Sequence, residues 1–257
     1  FKKSLSKNVV GILPGSEASE EYFLYMAHWD HLGMDTTLDG DKIYNGALDN
    51  ASGTAALLEL AEAFSTGGQA KRSIIFLAVT AEEQGLLGSA YYGANPIYPL
   101  SQTVAGLNMD GINWFGKTKD ISIMGYGFSE LDSYVEMAAN LQGRYIAPDA
   151  TPEKGSYFRS DHFELAKFGV PMVYPGPGID HVEGGVEYGT LQNELYEEER
   201  YHKPSDEFDD TWVLSGGVED IKLFYMIGYQ LSNEETWPNW VYGNQFKVIR
   251  DQTRPEK

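Results

Sequence analysis

The segment "IIFLAVTAEEQGLLGSAYY", residues 74–92, decides the fold. It opens with an apolar run, Ile74 to Val79, followed by Thr80-Ala81. Two adjacent glutamates come next, Glu82 and Glu83, and Gly85 leads into a helix-like stretch. A short run that is apolar at every position reads as a strand buried on both faces, the kind found in parallel sheets covered by helices. The two carboxylates at its end repel one another, and an unpaired carboxylate is costly to bury. Either a positive charge waits there, or one glutamate is protonated, or both face water.

Outward from this segment, strands and helices alternate. "NVVGILPG" (8–15), "EYFLYMAHWD" (21–30), "QTVAGLNMDG" (102–111), "DISIMGYG" (120–127) and "VPMVYPGPG" (170–178) read as strands. Between 50 and 68, apolar residues at helical spacing (Ala56, Leu57, Leu60, Ala61, Phe64) predict a helix ended by Gly67-Gly68. Further helices are predicted at 85–96, 129–143, 160–169 and 218–233. Residues 179–206 show little periodicity and read as one long functional loop. The alternation predicts an α/β fold, a three-layer α/β/α sandwich around a mostly parallel, mixed central sheet. No repeat or linker divides the chain, so residues 1–257 read as a single catalytic-sized domain.

Composition narrows the function. With 19 basic against 38 acidic residues, the net charge of −19 argues against a nucleic-acid backbone as partner and favours metal ions or free amines. There is no cysteine, which excludes disulfides, thiolate zinc sites and a cysteine nucleophile, and leaves oxygen and imidazole as metal donors. No window reaches the roughly 18 apolar residues of a membrane span. No signal segment is visible and the chain starts at Phe1, so the expectation is a mature form or an excised domain, working outside the cytoplasm as a periplasmic or secreted protein.

In sheets of this kind ligands bind beyond the carboxyl ends of the strands. Those ends carry His28, Asp30 and His31 in "AHWDH", Glu82 and Glu83 in "TAEEQG", and Asp110 in "NMDG". Asp49 in "ALDNASG" precedes a helix, and Tyr201 and His202 lie in "RYHKPSDEF". Alone, each has an ordinary reading: Asp49 as a helix cap, Asp110-Gly111 as a turn, the glutamates as a solvated pair, His202 as a loop residue. Together they supply imidazoles and carboxylates at one sheet edge, a set suited to zinc or another divalent ion. Neighbouring side chains at a strand end diverge, so one glutamate can bind a cation while the other accepts a proton from water activated there. The i, i+2 spacing places Asp30 on the face of His28, where its carboxylate can take the second ring N–H.

The motifs "HWDHLG", "NGALDNASGTAALLELA", "TAEEQGLLGS", "NMDG", "RSDHFELAKFGVP" and "YHKPSDEF" resemble, in order and spacing, those of the two-zinc aminopeptidase family. That family includes secreted bacterial leucine aminopeptidases and, more distantly, glutamate carboxypeptidase and glutaminyl cyclase. The resemblance spans residues 8 to 232. It implies one zinc held by His28, Asp49 and Asp110 and a second by Asp49, Glu83 and His202, with Asp49 bridging, although other divalent ions are possible. It makes Glu82 the general base and Tyr201 an oxyanion donor, and it places Arg159 and Asp161 at the substrate pocket. Asn50 stands where a second Asp often follows the bridging one, after a peptide bond commonly cis in the family. The implied substrate is a peptide with a free N-terminus. Carboxypeptidase, single-metal cyclase and non-catalytic binding module are the competing readings.

Overall fold

The computed structural model describes residues 4–149 and 152–254. Strands β1 (Val9–Leu13) and β2 (Ala18–His28) are followed by a small ribbon, β3 (Gly33–Met34) and β4 (Ile43–Tyr44). Then come α1 (Gly53–Thr66), β5 (Arg72–Val79), α2 (Leu87–Ala94), β6 (Thr103–Asn108), β7 (Asp120–Met124), α3 (Leu131–Leu141) and β8 (Tyr145–Pro148). The remainder is α4 (His162–Ala166), β9 (Met172–Pro177), α5 (Gly185–Glu199), α6 (Ser215–Asn233) and α7 (Gln245–Thr253).

Seven strands form one sheet in the order β1-β5-β2-β6-β9-β7-β8. The run β5-β2-β6-β9 is parallel, as is β7-β8, while β1 on β5 and β7 on β9 are antiparallel. Strand β2 shows why its sequence is apolar without alternation. Phe23, Tyr25 and Ala27 pack toward α1, α3 and α6, whereas Tyr22, Leu24 and Met26 pack toward α2 and α4. Successive side chains point to opposite faces, and both faces are covered. The mostly parallel three-layer architecture expected from the alternation is therefore the observed one. Truncating a fully buried residue such as Leu24 to alanine would cost about 2–5 kcal/mol. Tyr25 also fastens sheet to helix, donating its hydroxyl to the Phe224 carbonyl at 2.7 Å.

One expectation needs correction. Residues 179–206 are not one loop: α5 occupies 185–199. Its only buried residue is Gly189, so it has no apolar stripe to betray it. The chain also continues past α6 into α7, where Asn244 caps the helix by accepting the Phe246 N–H at 2.9 Å and Phe246 packs with Trp240 and Tyr157. Among the described residues no helix is long and apolar enough to cross a membrane.

The parallel strands end in register. His28 lies opposite Val79, and Met26 opposite Asn108. The segments leaving β2, β5 and β6 thus emerge side by side.

Candidate metal centre

At that edge the donor atoms converge. His28 Nε2 lies 3.2 Å from Asp49 Oδ1 and 3.1 Å from Asp110 Oδ1. The other oxygen of Asp49, Oδ2, lies 3.2 Å from His202 Nε2, and the same nitrogen is 3.2 Å from Glu83 Oε2. Asp49 therefore faces both histidines with one carboxylate. His31 also joins this second cluster: its Nδ1 is 2.7 Å from Glu83 Oε1. Donor atoms of His28, Asp49 and Asp110, and of His31, Asp49 and Glu83, form two groups each within 4.8 Å.

The charges here are arranged for a cation. Burial alone would lower the His28 imidazole, but Asp110 and Asp49 outweigh it and push it up to about 12. Burial would raise Asp49, yet His202 and His28 hold it well below the usual carboxylate range. The buried His31 ring and Glu83 Oε1 approach closely without an aligned hydrogen bond. Clustered carboxylate oxygens and imidazole nitrogens, with buried His31 and Glu83 atoms left unpartnered, are what a borderline cation such as zinc requires, and the donor set fits it.

The backbone around the ligands is heavily tied. The carboxylate of Asp206, fully buried, accepts the N–H groups of Leu48 at 3.0 Å and Asp49 at 3.1 Å and the Tyr196 hydroxyl at 3.2 Å. Asn50, which follows Asp49 across a cis peptide bond, accepts from Gly53 N and Gly111 N and donates to the Met109 carbonyl. An aspartate at 50 would lack that donor. Ser160 Oγ donates to Asp110 Oδ2 at 2.7 Å and accepts from Asn108 Nδ2 at 2.8 Å. Gly46 sits at φ 60°, where a Cβ would lie 2.5 Å from the His31 ring. Ala81 (φ 57°) and His202 (φ 56°) adopt the left-handed region without being glycine, at about 1–2 kcal/mol each; such strain gathers at functional sites.

Glu82 stands apart from the donor clusters. Burial raises its carboxyl to about 9, with Asp110, Asp161 and Glu83 adding to the effect. It lines a cavity of about 630 Å³ together with Asp49, Glu83, Asp110, Tyr201, His202 and Arg159. Tyr201 stacks on the His202 ring at 3.9 Å, and burial keeps its hydroxyl protonated, up to about 12. Tyr196 and Tyr201 line the cavity as aromatic surface, whereas Tyr188 packs on Phe115 and His181. Trp114 and Phe158 line it as well.

Two further expectations change. Asp30 does not hold His28 through its carboxylate: its backbone carbonyl is 3.1 Å from Nδ1, while Oδ1 is 3.8 Å away and accepts the Glu82 N–H at 3.1 Å. The chain bends after β2, so i, i+2 alternation no longer applies. Asp161 is fully buried and does not line the cavity. Its Oδ1 accepts the Ser89 hydroxyl at 2.6 Å, and burial raises its carboxyl to about 7. The contribution of Asp206 escaped the sequence reading. Its one signal was an acid, four residues past His202, in the motif that carries that ligand.

Known proteins agree with this picture. A zinc aminopeptidase from Bacillus subtilis superposes with a TM-score of 0.67 over 89% of this chain and 51% of its own, at 21% identity. A glutaminyl cyclase from an Acidobacteriales bacterium gives 0.61 over 88% and 73%, at 18% identity. At such identities these structures speak to the fold alone. In sequence, a glutamate carboxypeptidase 2 homolog of Caenorhabditis elegans is 30% identical over 187 residues, 68% of this chain and 22% of its own length. Aminopeptidase NAALADL1 of Mus musculus is 35% identical over 111 residues, 41% of this chain and 13% of its own. The chain thus spans less than a quarter of either relative. Residues 8–221, which carry every donor named above, match the sequence profile of peptidase family M28, and the chain belongs to that family.

Proposed function

We propose that the chain is a two-zinc aminopeptidase that releases the N-terminal residue of peptides. The observation that carries this reading is Asp49, whose two oxygens each lie 3.2 Å from a different histidine, so that one carboxylate serves two adjoining donor clusters. His28, Asp49 and Asp110 would hold one ion, and Asp49, Glu83 and His202 the other. When bound, the ions would supply the positive charge that acidifies water and polarises the scissile carbonyl. The remaining work falls to the chain's own groups. Glu82, which lines the cavity beside these clusters, takes the proton of the attacking water and returns it to the leaving amine. Tyr201, kept protonated, donates its O–H to the developing oxyanion. Ser160 and Asp206 position Asp110 and Asp49.

The direction of cleavage follows from charge. The metal end of the cavity is walled by Asp49, Glu82, Glu83 and Asp110, which favours a cationic end group on the substrate. Trp114, Ile112 and Phe158 provide apolar surface for the released side chain, so an apolar N-terminal residue is expected. The test is one leucine-initiated peptide offered free and N-acetylated to the zinc-loaded protein, with products read by mass spectrometry. Only the free peptide should lose its first residue. Equal cleavage of both, or trimming from the carboxyl end, would remove the aminopeptidase reading.

A further inference from the structure

The cavity at the metal centre does not end at Tyr201. A second cavity of about 510 Å³ adjoins it, and the two share Ser156, Arg159, Pro177, Asn193 and Tyr201. These residues form a neck between them. Arg159 has an exposed side chain on a well-held backbone: its N–H donates to the Ser156 carbonyl at 3.1 Å, and the next residue is Ser160, bonded to Asp110. Yet among the described residues its guanidinium makes no ion pair or hydrogen bond, and neither does the Asn193 amide that α5 presents to the same neck. In a chain of net charge −19 an unpaired arginine beside an acidic cleft is conspicuous. The other charged groups of the second cavity are engaged: Lys154 pairs with Glu197 at 3.6 Å, the Asp120 carboxylate accepts the N–H groups of Ile179 and Asp180 at 3.0 and 2.8 Å, and Asp149 has an interaction of its own.

The cleft therefore carries carboxylates at the metal end and unsatisfied donors at the neck. We infer that Arg159, with Asn193, binds a carboxylate on the part of the substrate that follows the scissile bond. The inference rests on the aminopeptidase reading and specifies its substrate class: short peptides whose free carboxylate comes soon after the first residue. A planar guanidinium beside an amide suits a carboxylate, which it can grip with two parallel N–H donors. The carboxylate has two possible sources, the C-terminus of a dipeptide or an acidic side chain at the second position.

The experiment measures kcat/KM of the zinc-loaded protein on Leu-Gly, Leu-Gly-NH2, Leu-Asp-NH2, Leu-Asn-NH2 and leucinamide. Charge-assisted hydrogen bonds lead us to expect the acid of a pair to exceed its amide by roughly ten- to a hundredfold. An excess in the Leu-Gly pair identifies the C-terminus as the source, and an excess in the Asp/Asn pair identifies the side chain. Arg159→Gln should bring the ratio close to one and Arg159→Lys should keep part of it, with melting curves confirming that both variants fold. Turnover of leucinamide with no acid preference in either pair would overturn the inference alone. A preference that persists in Arg159→Gln would overturn it equally. Failure to cleave any of the five, leucinamide included, would overturn the aminopeptidase reading and this inference with it.

Discussion

Glu82 and Glu83 are neighbours in sequence, yet the fold gives them different surroundings. Glu83 is buried between His31 and His202, with one oxygen toward each. Glu82 has neither histidine, and its burial beside Asp110 makes it hold a proton far above the ordinary carboxyl range. The two carboxylates at the strand end thus find separate answers to the cost of burial. One is met by imidazoles and a cation site, and the other retains affinity for a proton. Glu82→Gln should keep metal binding while losing about 10²–10⁴-fold in kcat, the usual worth of general-base action. Glu83→Gln should weaken metal binding first. Metal content and kcat measured on both variants decide the matter: equal metal loss in the two would sink this division of roles. At this scale His28, Glu82, Glu83 and Asp110 were readable because they lie at the ends of predicted strands. Asp206 and Ser160 were not, since their roles depend on hydrogen bonds set by segments distant in the chain, such as the 157 residues separating Asp49 from Asp206.

The elements that build the site differ in how strongly they announce themselves. Strands β2 and β5 are covered on both faces, and α1 and α6 each bury one stripe, so their hydropathy alone reveals them. Helix α5 buries almost nothing, and what fixes it is its two ends. Tyr196 near its carboxyl end donates to Asp206, and the segment after it turns through the left-handed His202 to reach the same carboxylate. Asp206 thereby links α5 to the turn that carries Asp49 before α1. Asp206→Ala would leave the N–H groups of Leu48 and Asp49 and the Tyr196 hydroxyl without their acceptor. Loss of a group that orients a ligand typically lowers metal affinity about 10- to 100-fold. Zinc dissociation constants, measured by competition with a chromophoric chelator, should shift by that amount in Asp206→Ala and by less in Asp206→Asn, which keeps one acceptor. Unchanged affinity in Asp206→Ala would mean the turn is held by other contacts.

For the molecule as a whole, the core and the site are separable. The two large apolar clusters lie on the faces of the sheet, built from residues such as Leu24, Leu60, Ile75 and Leu223, and contain none of the metal donors. The site lies at the edge, where Asp49, Glu83 and Asp110 crowd together in a protein already at −19. Without a cation, that crowding is relieved by protonating His28 and Glu82, as their raised proton affinities show. The chain should therefore stay folded when metal is removed, but be less stable. A ligand that binds only the folded form stabilises it by RT ln(1 + [L]/Kd), about 2.7 kcal/mol at a hundredfold excess over Kd. For a domain of this size 1 kcal/mol moves the melting temperature by roughly 2–4 °C. Exhaustive chelation should thus abolish activity and lower the melting temperature by about 5–10 °C relative to zinc-loaded protein, with far-ultraviolet circular dichroism unchanged at 25 °C. Zinc should restore both. Protein that loses its dichroism on chelation would show that the edge organises the core. Protein that binds no zinc and melts at one temperature throughout would show that the convergence of His28, Asp49, Glu83, Asp110 and His202 is not a metal centre.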